Sequence, residues 1–195
     1  MADAQGFDVD VARIWQTGMA YIDRTPDAVL LDAAGRTALV AADGKIVVPA
    51  SYENVGLWTK DGGPEEGRES EDPTEFYQPG YEIGGATSRT VALTLAEDNE
   101  MVRWLDTGKT PVAGEMTVGG GNDHRFPLLI VQKRRDGAIR LRNGYARVSE
   151  FAPESADRGT LESSVATFKW SEADELGDDL YWERVVPATV TVPAG

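Results

Sequence analysis

Carboxylates are the most abundant side chains here that could do chemistry. Three adjacent acidic pairs, Glu65-Glu66, Glu71-Asp72 and Asp178-Asp179, stand among 33 acidic residues. Paired carboxylates serve acid–base catalysis when their surroundings push their pKa values apart, and they hold calcium when they alternate along a glycine-containing loop. None of these pairs has that alternation, so they read as solvated acidic surface, and a carboxylate hydrolase is the least supported function class. His124 is the only histidine, and there is no cysteine. A zinc site would therefore need three carboxylates around one imidazole, an unusual set of ligands. His124 lies in "GGGNDHRF", beside the glycine run Gly119–Gly121, which places it on an exposed loop. That run lacks the Lys-Ser or Lys-Thr of a phosphate-binding loop, and no "GxSxG" elbow supports a nucleophilic serine. The expectation is a protein that is not an enzyme and carries no cofactor or metal.

Composition narrows the class further. The 195 residues suffice for a hydrophobic core, and 41% hydrophobic with 27% charged residues is ordinary for a globular chain. The net charge of −14 argues against a nucleic-acid clamp, because tight binding neutralises phosphates with Lys and Arg. Absence of cysteine excludes a disulfide scaffold. No apolar run approaches the ~20 residues of a membrane span, and "MADAQGFDVDVARIW" lacks the basic start and apolar stretch of an export signal.

The elements that must position these side chains are mostly β. Residues 1–27 read as an N-terminal arm, with Val9 to Asp23 partly helical although Gly18 interrupts the spacing. Residues 28–195 read as one domain. "TALVAADGKIVVPAS" predicts a hairpin, Thr37–Ala41 and Lys45–Val48 about an Asp43-Gly44 turn. "ENVGLWT" and "YEIGGA" are short strands on either side of a polar loop over 60–80, and "SRTVALTLAE" alternates like a half-buried strand. "AEDNEMVRWLDTG" is the one clear helix, about 97–107, acidic at its start and stopped at Gly108. "RFPLLIVQKRR" is a strongly apolar strand, turned at Asp136-Gly137 into "AIRLRN" and again at Asn143-Gly144 into "YARVSEF". "TLESSVATFKWSEA", "LYWERV" and "ATVTV" complete about ten strands, with a C-terminal arm at about 186–195. The expected fold is mainly β: a β-sandwich or open barrel of two packed antiparallel sheets with one flanking helix.

Lys133, Arg134, Arg135, Arg140 and Arg142 cluster about one predicted hairpin, where balancing acids in the same or another subunit is the reading that suits an acidic protein. Trp58, Phe76, Tyr77 and Tyr81 bracket the polar loop. They read either as caps where the loop leaves the sheet or as interface anchors, and Trp15 invites the same two readings.

The order "NVGLWTKDG", a polar excursion, an aromatic return, "SRTVALTLAEDNEMVRWL", "RFPLLIVQKRRDGAIRLRNGYARVSE" and "SVATFKWSEA" resembles the major tail protein of long-tailed phages infecting actinobacteria. The similarity runs from about Val55 to Ala173, and Glu97 and Asn99 stand where the family's helix opens. It implies a β-sandwich or barrel with a flanking helix, forming hexameric rings that stack into a tube through which double-stranded DNA passes without specific binding. A tape measure protein inside the tube and terminator or baseplate proteins at its ends would be the partners. The place of action would be the virion tail, assembled in the host cytoplasm, with no membrane contact and no catalytic residue. The residues it singles out for self-assembly are Trp15, Trp58, Glu65, Glu66, Glu69, Phe76, Tyr77, Tyr81, Arg134 and Arg140, since a long loop and terminal arms bridge subunits in that family. On this reading the loop acids line the lumen or pair with a neighbour's Arg134 or Arg140. The alternatives are a related terminator or baseplate protein, or a β-sandwich module binding a glycan or protein on a Trp58, Tyr77 and Tyr81 platform.

Overall fold

The computed structural model describes residues 14–77, 80–85, 87–155, 158–159 and 161–188. Its strands are β1 (Trp15–Ile22), β2 (Glu53–Asn54), β3 (Glu65–Ser70), β4 (Thr74–Glu75), β5 (Glu82–Ile83), β6 (Thr87–Leu95), β7 (Phe126–Arg134), β8 (Ile139–Pro153), β9 (Ser164–Ser171) and β10 (Trp182–Val186). The helices are α1 (Ala33–Ala38) and α2 (Glu100–Thr107). The fold is mainly β, as expected. Its strands form one eight-stranded antiparallel sheet in the order β2-β1-β7-β8-β9-β6-β3, with β10 on β8, and a separate β4-β5 ribbon.

The sheet curls. Val55 donates its backbone N–H to Ala20 of β1, while Thr59 and Ala96 exchange backbone bonds with Thr94 and Leu57 across to β6. One short segment thus ties the two ends of the sheet together, giving an open barrel. Alternate residues of five strands point into it: Ala20 and Ile22, Val91, Leu93 and Leu95, Phe126, Leu128 and Ile130, Ala146, then Ala166, Phe168 and Trp170. Helix α2 adds Met101, Val102, Trp104 and Leu105 to this core. The helix forms where it does because Asn99 caps it, accepting the Val102 N–H at 2.9 Å, and Gly108 ends it at φ 68°.

Strand β7 explains its own unbroken apolar sequence. Its even residues face the barrel core, and its odd residues Leu129 and Val131 face a second core with Leu39, Tyr52, Ile139 and Leu141. A strand covered on both sides has no polar face to alternate with.

Several expectations are corrected. Trp15–Ile22 is no arm or partial helix but an inner strand between β2 and β7; residues 1–13 lie outside the described residues. Gly18 interrupted a helical pattern because it belongs to a strand, where the Trp58 ring lies over it and leaves no room for a Cβ. The loop 60–80 contains the edge strand β3, paired to β6 from Glu65↔Ala92 to Ser70↔Thr87. Asn143-Gly144 makes no turn, and β8 runs through it. The buried Asn143 side chain bonds Tyr52 Oη at 3.1 Å and the Leu31 N–H at 3.2 Å, and a Cβ at Gly144 would meet the Leu180 carbonyl. The residues that looked like a turn serve a close approach of two segments. In the first predicted hairpin, Thr37 and Ala38 belong to α1, and pairing reduces to a Val40↔Ile46 bridge beyond it. Of the C-terminal arm, residues 189–195, including most of "ATVTV", lie outside the described residues.

Candidate functional site

The residues singled out in the sequence separate into two places. One is the polar end of the barrel. The period of two that puts Phe126, Leu128 and Ile130 inside carries Gln132 and Arg134 to the same face farther along β7. On β8 the same face holds Arg140 and Arg142, and on β10 it holds Glu183, which opposes Arg142. Glu66 shares a face with Val91, its partner on β6, so the curl of the sheet points it inward at these arginines.

Arg142 has 1% of its side chain exposed and is paired twice: its Nε donates to Glu183 at 2.9 Å and its Nη2 to Glu66. Arg140 donates to Gln132 Oε1 at 3.0 Å and to Glu66 at 3.3 Å. Burial, then the neighbouring Arg142, pull the Arg140 guanidinium below its ordinary pKa, against the pull of Glu66 and Glu183. Arg134 is 6% exposed, and its Nε has no hydrogen-bond partner among the described residues.

Trp15 covers this cluster. Its ring centroid lies 4.9 Å from the Arg134 guanidinium carbon and 4.5 Å from that of Arg140. Trp15 is in register with Arg134, but Thr17 is in register with Lys133, so β1 carries one extra residue between them. Without that bulge Trp15 would fall on the opposite face from Gly18 and Ala20; with it, the indole turns onto the arginines.

The second place is the ribbon β4-β5. Phe76 donates its backbone N–H to the Tyr81 carbonyl at 2.9 Å, closing the ribbon below its tip. Phe76, Tyr77, Tyr81 and Ile83 are all exposed, Tyr77 completely. Single exposed apolar side chains are unremarkable, but here four lie close together along one short ribbon.

Other predicted residues go elsewhere. Trp58 is half-buried, packed on the barrel core with its ring over Gly18, and its buried Nε1 has no partner among the described residues. Glu65 and Glu69 lie on the outer face of β3, where Glu69 shares a shallow groove with Arg147 and Lys169. Glu66 pairs with Arg140 of its own chain, with 42% of its side chain still exposed. His124 is exposed and stacks on Trp104 at 5.9 Å.

Gln132, Glu183 and Ile83 were missed as site residues. Alternation on "LIVQKR" and "YWERV" was the available signal for the first two, but it does not say which face meets charge. Among the described residues there is no cluster of three or more acidic or imidazole side chains able to hold a metal, and no helix is long and apolar enough to cross a membrane. No family model matches the chain, and no curated protein matches its sequence.

Proposed function

We propose that this chain is a self-assembling structural subunit, the major tail tube protein of a long-tailed phage, which builds stacked hexameric rings into a conduit for the genome. The observation that carries the reading is the β4-β5 ribbon, with Phe76, Tyr77, Tyr81 and Ile83 held in solvent. Aromatic side chains are costly to leave wet in a monomer and contribute most of the energy where interfaces bury them. The long edge strand β3 supports it, since its outer side presents unpaired backbone groups that a neighbour can complete. So does the charge. A conduit for DNA must not hold a polyanion bearing one charge per about 1.7 Å of duplex. A wall drawn from a protein of net charge −14 repels it within the Debye length, about 8 Å at physiological salt.

The test is electron microscopy and sedimentation of the purified chain beside a Phe76→Ser, Tyr77→Ser, Tyr81→Ser triple variant. Substitution is preferable to deleting the loop, because deletion would remove β3. Wild type should form rings and tubes, and the variant should remain a folded monomer. Single rings that never stack would point to a terminator. A wild-type monomer persisting at high concentration would end the proposal.

A further inference from the structure

Three arginines crowd the polar end of the barrel, and among the described residues two carboxylates answer them. Arg142 takes both Glu66 and Glu183, and Arg140 shares Glu66 and leans on the neutral Gln132. Arg134 is left with the face of Trp15 and no carboxylate within salt-bridge distance among the described residues. Arg134 is 6% exposed as a residue and its Nε is buried with no partner among the described residues, so that N–H has lost its hydration and the indole face replaces only part of it. The rest of the molecule has the opposite imbalance, 33 acidic residues against 19 basic. An unanswered buried cation on so acidic a chain marks a place where an anion belongs.

We infer that Arg134, with Arg140 beside it under Trp15, receives a carboxylate from a second copy of this chain, so that closing the subunit contact completes the charge balance of the barrel end. This rests on the self-assembly reading. A second copy is favoured over a free anion on energetic grounds. One guanidinium fork gives too little free energy to hold a small anion tighter than about millimolar. A carboxylate carried on an interface already formed by other contacts arrives at high effective concentration instead. The acids that can be delivered are Glu65 and Glu69, which lie exposed on the outer face of edge strand β3 and make no ion pair among the described residues. Trp15 fits the role, since an aromatic edge over a charge pair excludes water and strengthens it.

The experiment compares wild type, Arg134→Gln and Arg134→Lys in two assays, the concentration at half assembly by light scattering and the urea midpoint of the unassembled chain. Arg134→Gln should raise the assembly concentration about tenfold to a hundredfold, while its urea midpoint stays level or rises, because an unpaired buried charge has been removed. Arg134→Lys, which keeps the charge and loses the fork, should fall between. A Glu65→Lys or Glu69→Lys change should restore assembly to an Arg134→Glu variant if that glutamate is the donor. Equal assembly by Arg134→Gln and wild type would overturn the inference and leave the tube intact. A lower urea midpoint matching the assembly loss would overturn it in favour of a purely structural arginine. Stabilisation of the wild-type monomer alone by inorganic phosphate or acetate would overturn it in favour of a free anion. If wild type does not assemble at all, the tube reading itself fails.

Discussion

Replacing Glu66 with Gln removes the one carboxylate that Arg140 and Arg142 share, while keeping shape and hydrogen-bonding capacity. Removing one partner of a fully buried ion pair costs about 3–5 kcal/mol, and an exposed pair contributes about 0–1. Glu66 lies between these limits, with 42% of its side chain exposed against 1% for Arg142. Glu183 still answers Arg142, but Arg140 keeps only Gln132, and three arginines then face a single carboxylate. The expected loss is about 2–3 kcal/mol, below the buried limit because water reaches Glu66. In urea, with a slope of about 2 kcal/mol per molar, the midpoint should fall by about 1–1.5 M with the slope unchanged. Tryptophan emission reports the transition, and Trp15 adds a local signal because it lies over the cluster. Arg142→Met in the Glu66→Gln background should recover much of the loss, since an apolar side chain of similar volume needs no counter-charge. A Glu66→Gln midpoint within 0.2 M of wild type, at about 0.4 kcal/mol, would refute the reasoning that Arg140 and Arg142 depend on Glu66 as their shared counter-charge.

Two further predictions follow from the cores. Burial pushes the Tyr52 phenol up to about 12, partly offset by its bond from Asn143. A folded-state pKa above the unfolded value means the contribution is complete below about pH 10 and is lost as pH rises toward 12. The loss between those limits is about 2–3 kcal/mol at 1.36 per unit, and Tyr52→Phe should flatten the pH dependence of the urea midpoint across that window. Gly18→Ala places a methyl where the Trp58 ring lies; overpacking should cost about 1–3 kcal/mol, and pairing it with Trp58→Leu should return part of that.

Local signals carried the parts of the fold whose cause is local. Helix α2 was legible because its acidic start, its stop at Gly108 and its apolar face all lie within a few residues of one another. The unbroken apolar run of β7 was legible as a strongly apolar strand, and it lacks polar alternation because both its faces are covered. The exposed aromatics of "FYQPGY" were flagged as candidate anchors, because Phe76 and Tyr81 lie beside a stretch too polar to bury them. Tertiary structure decided everything that depends on where the curled sheet returns. Trp15–Ile22 looks like an arm until β7 is beside it, and Gly18 looks like a helix breaker until Trp58 lies over it. "PEEGRES" looks like solvent-facing loop because four of its seven residues are charged. It becomes strand β3 by pairing with β6, and the curl then sets Glu66 against Arg140 and Arg142, more than seventy positions away in the chain. The same holds for Asn143-Gly144, which has turn chemistry but lies inside β8, where a buried amide and a close backbone approach needed those two residues. Residue types and spacing therefore determined which segments are apolar, capped or charged. Which charges meet, and which one is left unanswered, was decided by closing the sheet on itself, since charges interact through distance in space and not along the chain.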